Sequence, residues 1–184
     1  MKKIIDISAA IPGCRVYPGD PAPKLVKVRT VDRDGCDLTE ISVCAHNGTH
    51  VDAPCHFIRG GGGAESIELS SCMGRCVVTD STEDAIRAAR NGEERIILKG
   101  CDVTAEEAEE LASRIRLLGT DGLSFGEACG KQAAVHTALL GKGVVLLEGL
   151  ELGEVKCGTY ELIALPLRLT GSDGSPVRAV LIDD

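Results

Sequence analysis

Short apolar runs alternate with amphipathic stretches along the chain, and no linker or low-complexity segment interrupts them. Lys3 to Ile7 and Lys24 to Val31 read as strands, the second with apolar and polar positions in alternation. Cys36 to Cys44 reads as a third, with Leu38, Ile41 and Val43 as its apolar content. Between the first two, Ile11-Pro12-Gly13 and Pro18-Gly19-Asp20-Pro21 carry turn chemistry. Cys76 to Thr79, Arg95 to Leu98, Val144 to Leu147 and Tyr160 to Leu165 are apolar runs of strand length, and Val177 to Ile182 closes the chain as a last strand.

Helical patterns fall between these runs. Asp80 to Arg90 has Ser81 as N-cap, acids in its first turn, and Arg87 and Arg90 near its end, as the helix dipole prefers. Thr104 to Leu117 is the clearest helix, opening with Thr104 and Glu106-Glu107 in a capping-box arrangement and ending at Gly119. Its glutamates form a solvated face. A third helix runs from about Lys131 to Leu140 and stops at Gly141. Strands in both halves with helices between them predict one mixed α/β domain over residues 1–184, with the strand order left open.

Composition narrows the function. With 184 residues, 43% of them hydrophobic and 26% charged, the chain suits a globular domain with a sizeable core. Aromatic residues make up only 2% and Trp is absent, so the core is built from Val, Ile, Leu and Ala and offers no platform for stacking bases. A net charge of -8 disfavours nonspecific binding to nucleic acid or to an anionic membrane. Apolar runs fall short of the ~20 residues of a membrane span. Lys2 and Lys3 meet Asp6 before a signal-peptide core can form, so a cytoplasmic protein is expected. The nine cysteines are odd in number and scattered, and they read as reduced thiols acting mostly as small hydrophobes. Cys72 and Cys76 lack the second pair of a zinc ribbon, and Gly60 to Gly63 lacks the Lys-Ser/Thr of a phosphate loop.

Chemistry concentrates in the histidines. Three of the four lie in His46-Asn47-Gly48-Thr49-His50-Val51-Asp52-Ala53-Pro54-Cys55-His56, and the fourth is His136. On a strand His50 and Asp52 face one side, while Gly48 and Pro54 break regular pairing and let the chain curl His46 and His56 toward the same place. Imidazoles and a carboxylate so arranged suit zinc or manganese. A nucleophilic pairing of Cys55 with a neighbouring His is disfavoured, because adjacent strand residues point to opposite faces.

The run His46-x-Gly48-Thr49-His50-x-Asp52-Ala53-Pro54-x-His56 resembles the signature of the bacterial kynurenine formamidase and cyclase family of metal-dependent hydrolases. The likeness extends to Asp6-Ile7-Ser8, Tyr17-Pro18-Gly19-Asp20, Leu147-Glu148-Gly149-Leu150, Tyr160 to Leu167 and Ser175 to Val180. The resemblance implies a swivelling β/β/α fold and a centre of two divalent metal ions, zinc by preference or manganese. By the same resemblance His46, His50 and Asp52, with His136 and Glu148 at the matching spacing, are metal ligands, Asp52 and Glu148 serve as bridges, and His56 is the general acid/base. Two cations sharing a water lower its pKa from about 16 toward neutrality, which suits attack on a carbonyl carbon. Family members that accept N-formyl-kynurenine carry Trp where this chain has Tyr17, so Tyr17 is expected to contact substrate. The implied reaction is hydrolysis of an aryl-formamide; a different cyclic amide, lactone or acid is the alternative substrate. A noncatalytic binding protein is the alternative from another class, disfavoured because binding alone does not require His56. The expected partners are a small-molecule substrate and, by resemblance, further copies of the same chain in a dimer or tetramer.

Overall fold

The computed structural model describes residues 2–127 and 130–183; Cys129, counted above among the reduced thiols, lies outside them. In chain order the elements are β1 (Lys3–Asp6), β2 (Lys24–Arg29), α1 (Val31–Asp34), β3 (Leu38–Ser42), β4 (His50–Asp52), β5 (Met73–Thr79), α2 (Thr82–Arg90), β6 (Arg95–Leu98), α3 (Ala105–Ala112), β7 (Leu117–Thr120), α4 (Gln132–Leu140), β8 (Val145–Glu148), β9 (Gly158–Ile163), β10 (Gly174–Pro176) and β11 (Val180–Asp183). Nine strands form one mixed sheet in the order β1-β11-β9-β5-β6-β7-β8-β4-β10, while β2 and β3 pair only with each other. Neighbours from β5 through β8 run parallel and the flanking pairs antiparallel. The fold class is therefore the mixed α/β one that the hydrophobic pattern predicts.

The inner strands β6, β7 and β8 are buried at every position, as expected for parallel strands covered on both faces. Alternation divides their side chains between two cores. Ile96, Leu98, Leu118 and Leu146 pack with the apolar faces of α2, α3 and α4 and with Phe125. Ile97, Leu117 and Leu147 pack on the opposite face with Val51 of β4, Leu162 of β9 and Leu181 of β11. Strands from near both ends of the sheet meet in that second core, so the sheet curls on itself.

The caps behave as read: the Asp84 amide donates to Ser81 Oγ, and Thr104 with Glu107 forms a reciprocal capping box. The extent of α3 does not. The helix stops at Ala112, and Leu117 to Thr120, read as its end and stop, is the central strand β7. A fully buried parallel strand shows no alternation, so Leu117 and Leu118 look the same as the tail of an apolar helix face. The last strand is likewise later than expected, at Val180–Asp183, because Val177 is drawn off to donate its amide to the Thr49 carbonyl beside β4.

Candidate active site

Strand β4 lies between β8 and β10, and its register sets the site. His50 is the cross-strand partner of Glu148, and Asp52 is the partner of both Leu146 and Gly174. His50 and Asp52 thus project from one face of β4 beside Glu148, and α4 brings His136 against them. Two glycines make this approach possible. A Cβ on Gly149, where φ is +69°, would sit 2.4 Å from the Gly48 carbonyl oxygen. One on Gly174 would sit 2.9 Å from His46 Cε1.

Four of these side chains form a buried cluster. His50 Nε2 lies 3.4 Å from Asp52 Oδ1 and 3.5 Å from Glu148 Oε2. His136 Nε2 lies 3.2 Å from Glu148 Oε1 and 3.5 Å from Asp52 Oδ2. The far nitrogens are anchored to backbone: His50 Nδ1 to the Gly48 carbonyl at 3.0 Å, His136 Nδ1 to the Gln132 carbonyl at 2.8 Å. A carbonyl only accepts, so each Nδ1 carries a hydrogen, and each Nε2 is turned toward the carboxylates, able to ligate a metal once its own proton is displaced. Anchoring of the outer nitrogen is how metal-binding histidines are held. Among the described residues, His50 Nε2 and Asp52 Oδ2 are the buried side-chain polar atoms without a hydrogen-bond partner. Leaving such atoms unmatched costs roughly 1–3 kcal/mol each, and a divalent cation between them would remove that cost. The donor set and its unmatched atoms fit a metal ion.

A second, less buried group adjoins the first through Asp52. His46 Nδ1 is 3.0 Å from Asp52 Oδ1, and its Nε2 is 3.1 Å from Asp173 Oδ2. The His46 and His56 rings lie 4.1 Å apart, tilted by 30°. Both His46, Asp52 and His56 and His50, Asp52 and Glu148 bring their ligand atoms within 4.8 Å of one another, so each trio can hold an ion. All six polar residues expected at the site are therefore brought together.

Charge is balanced by coupling. Burial drives the Asp52 carboxyl up, but His46 and His50 outweigh it and hold it below the usual carboxylate range. Burial also pushes the His50 imidazole down, and Asp52 with Glu148 reverses this, lifting it to about 10. His46 and His136 are raised in the same way against burial, by Asp52 and Glu148 respectively. For His56 burial prevails and its pKa falls, leaving a neutral ring near pH 7.

The site opens into a cavity of about 360 Å³ lined by Tyr17, Phe57, His56, Gln132 and Asp173 among others. The Tyr17 hydroxyl donates to Gln132 Oε1 at 3.1 Å, and Gln132 Nε2 donates to Ser124 Oγ at 2.6 Å. Ser124 Oγ in turn lies 3.4 Å from His136 Nε2 and 3.5 Å from Glu148 Oε1, while the Phe125 amide donates to Glu148 at 3.0 Å. Asp173, Ser124, Gln132 and Phe57 were not legible as site residues in the sequence. Asp173 directly precedes the Gly174 that pairs with Asp52, a register visible only once β10 is folded.

Residues 5–116 match the family model described as putative cyclase. Over 214 aligned positions the chain is 36% identical to the kynurenine formamidase of Sphingopyxis alaskensis, covering 98% of each chain. It is 35% identical over 206 positions to that of Salinibacter ruber, covering 98% of this chain and 97% of the relative. Among solved structures, one described as a potential metal-dependent hydrolase with cyclase activity superposes with a TM-score of 0.83 at 30% identity, over 100% of this chain and 99% of that one. Isatin hydrolase A from Labrenzia aggregata shares the fold, with a TM-score of 0.77 at 22% identity over 99% of this chain and 94% of that one. The fold is that of solved cyclase-like metal-dependent hydrolases, and the histidine-carboxylate cluster is one that can hold a metal ion. The chain belongs to the cyclase family, with kynurenine formamidases among its relatives.

Proposed function

We propose that this hydrolase cleaves the carbon–nitrogen bond of an aryl-formamide such as N-formyl-kynurenine, at a centre of two divalent cations, zinc by preference. The observation that carries the reading is the buried cluster with its two unmatched atoms, His50 Nε2 and Asp52 Oδ2. Relatives 36% and 35% identical over nearly the whole chain support the substrate class. His46, His50, Asp52, His136 and Glu148 would hold the cations. When bound, such ions supply Lewis acidity, which acidifies water and polarises a carbonyl.

The chain's own groups do the rest. Ser124 and the Phe125 amide hold Glu148 in place, and backbone carbonyls hold His50 and His136. His56, half-buried at the cavity wall with its pKa lowered by burial, is the neutral base that takes a proton from the attacking water. The water oxygen bonds to the formyl carbon, the C–N bond breaks, and His56 returns the proton to the departing nitrogen. The products are formate and the free aryl amine. Tyr17, fixed by Gln132, and Phe57 offer the rings against which the aryl group packs.

Those are few rings for an aromatic substrate, and this favours a second reading: a smaller cyclic amide or lactone opened by the same groups. Purified, zinc-loaded protein should release formate from N-formyl-kynurenine. Metal without formate release, alongside turnover of a lactone or cyclic amide, overturns the first reading in favour of the second.

Two further expectations join the proposal. Free thiols at all eight described cysteines support a cytoplasmic setting, and no described helix is long and apolar enough to cross a membrane. A homo-oligomer is supported by the β2–β3 hairpin, which is exposed at every strand position and carries Leu25, Val26, Leu38 and Ile41. A lone two-stranded hairpin is marginal in water, and a second copy of the chain is the occupant that would cover it.

A further inference from the structure

We propose that Asp173 is a positioning residue that clamps the His46–His56 pair and sets the tautomer of His56, so that Nε2 is the basic atom His56 offers to the cavity. The inference rests on His56 being the general acid/base proposed above.

Asp173 Oδ2 lies 3.1 Å from His46 Nε2 and 3.4 Å from His56 Nδ1. An ionised carboxylate only accepts, and it has lone pairs for both rings. His46 Nε2, hydrogen-bonded to it, therefore carries its hydrogen, and the negative charge 3.4 Å from His56 Nδ1 favours the hydrogen on that nitrogen. A neutral His56 with its hydrogen on Nδ1 has a bare Nε2. This is the arrangement in which a carboxylate fixes the working tautomer of a catalytic imidazole.

The clamp is held by backbone. The Asp173 carbonyl accepts from the Ala53 amide at 2.9 Å, and Gly174 pairs with Asp52. The carboxylate is thus tied to the strand that bears His50 and Asp52, and missing side-chain bulk at Gly174 lets that backbone pass close to the His46 ring. Asp173 stands outside the buried cluster: it meets the outer nitrogen of His46, whose other nitrogen faces Asp52, and its side chain is half exposed. That position suits an outer anchor rather than a ligand.

In amide cleavage the departing nitrogen needs a proton from His56, whereas 4-nitrophenolate leaves an ester without one. Zinc-loaded Asp173→Asn and Asp173→Ala should keep the zinc content of the wild type. We expect kcat on N-formyl-kynurenine to fall about 10- to 100-fold with KM changed less than about twofold. Hydrolysis of 4-nitrophenyl formate should fall several-fold less than that. A second readout does not use turnover. In protein labelled with 15N-histidine, the nitrogen shifts of His56 should report the Nδ1–H form in the wild type and a mixture of tautomers in Asp173→Ala. Loss of zinc from the variants would make Asp173 a ligand and overturn the proposal. An unchanged His56 tautomer, or equal losses on amide and ester, would overturn it as well. If the wild type releases no formate, the substrate assignment fails, and the tautomer measurement still decides the role of Asp173.

Discussion

Four side chains, His50, Asp52, His136 and Glu148, hold two imidazoles and two carboxylates within 3.2–3.5 Å of one another in a buried space. Without a cation they are reconciled by protons: the carboxylates lift His50 to about 10 and also raise His46 and His136. Each raised imidazole keeps its proton above its ordinary pKa, so a cation must displace protons to bind. Zinc binding to metal-free protein should therefore release protons, with apparent affinity rising from about pH 6.5 toward about pH 10 as the raised imidazoles lose them. Calorimetry in two buffers of different ionisation enthalpy checks this; equal heats in the two would contradict it. His56 behaves differently because burial, not a carboxylate, dominates its environment. His56→Ala is expected to retain metal and lose about 10²- to 10⁴-fold in turnover. Metal loss from that variant would make His56 a ligand, as its place in one of the two trios allows.

Residue identity was the most legible level of the sequence. His46, His50, Asp52 and His56 cluster along the chain, and their convergence needs only a short strand and a curl on either side. Asp173 was illegible because it reaches the site through the β4–β10 pairing, more than a hundred positions away in sequence. Ser124 and Gln132 were illegible for a related reason: each acts by holding a neighbour, and holding has no motif of its own.

At the scale of elements, caps and amphipathic faces were readable because their signals are local. The Ser81 cap and the Thr104–Glu107 box stand where their residue types predict. Strand β7 was not readable, since its burial is created by β6 and β8 on either side and by the cores above and below. The turn after β8 illustrates how an element positions chemistry. Gly149 follows Glu148 at φ +69° with the Gly48 carbonyl against it. Gly149→Ala should destabilise the protein by about 1–3 kcal/mol from backbone strain and weaken metal binding by moving Glu148. A melting temperature and zinc content equal to wild type would show that the turn tolerates a side chain.

For the whole molecule, the pattern of alternating strands and helices predicted a mixed α/β fold, and the sheet order could only come from long-range pairing. The hairpin is an apolar element that the rest of the chain leaves uncovered. Its apolar positions include Ile41, 63% exposed, and Val26, 51% exposed. Light scattering should give the mass of a dimer or larger, and Val26→Asp with Ile41→Asp should reduce it to that of one chain. A wild type already of single-chain mass would remove the hairpin as an interface between copies.

The most direct test is a count of ions. Metal-free protein titrated with zinc and analysed by mass spectrometry of the metal should take up two equivalents per chain, and His50→Ala should lose at least one of them. Uptake of no zinc by the wild type, or uptake that His50→Ala leaves untouched, would contradict the idea that these histidines and carboxylates are gathered to hold metal.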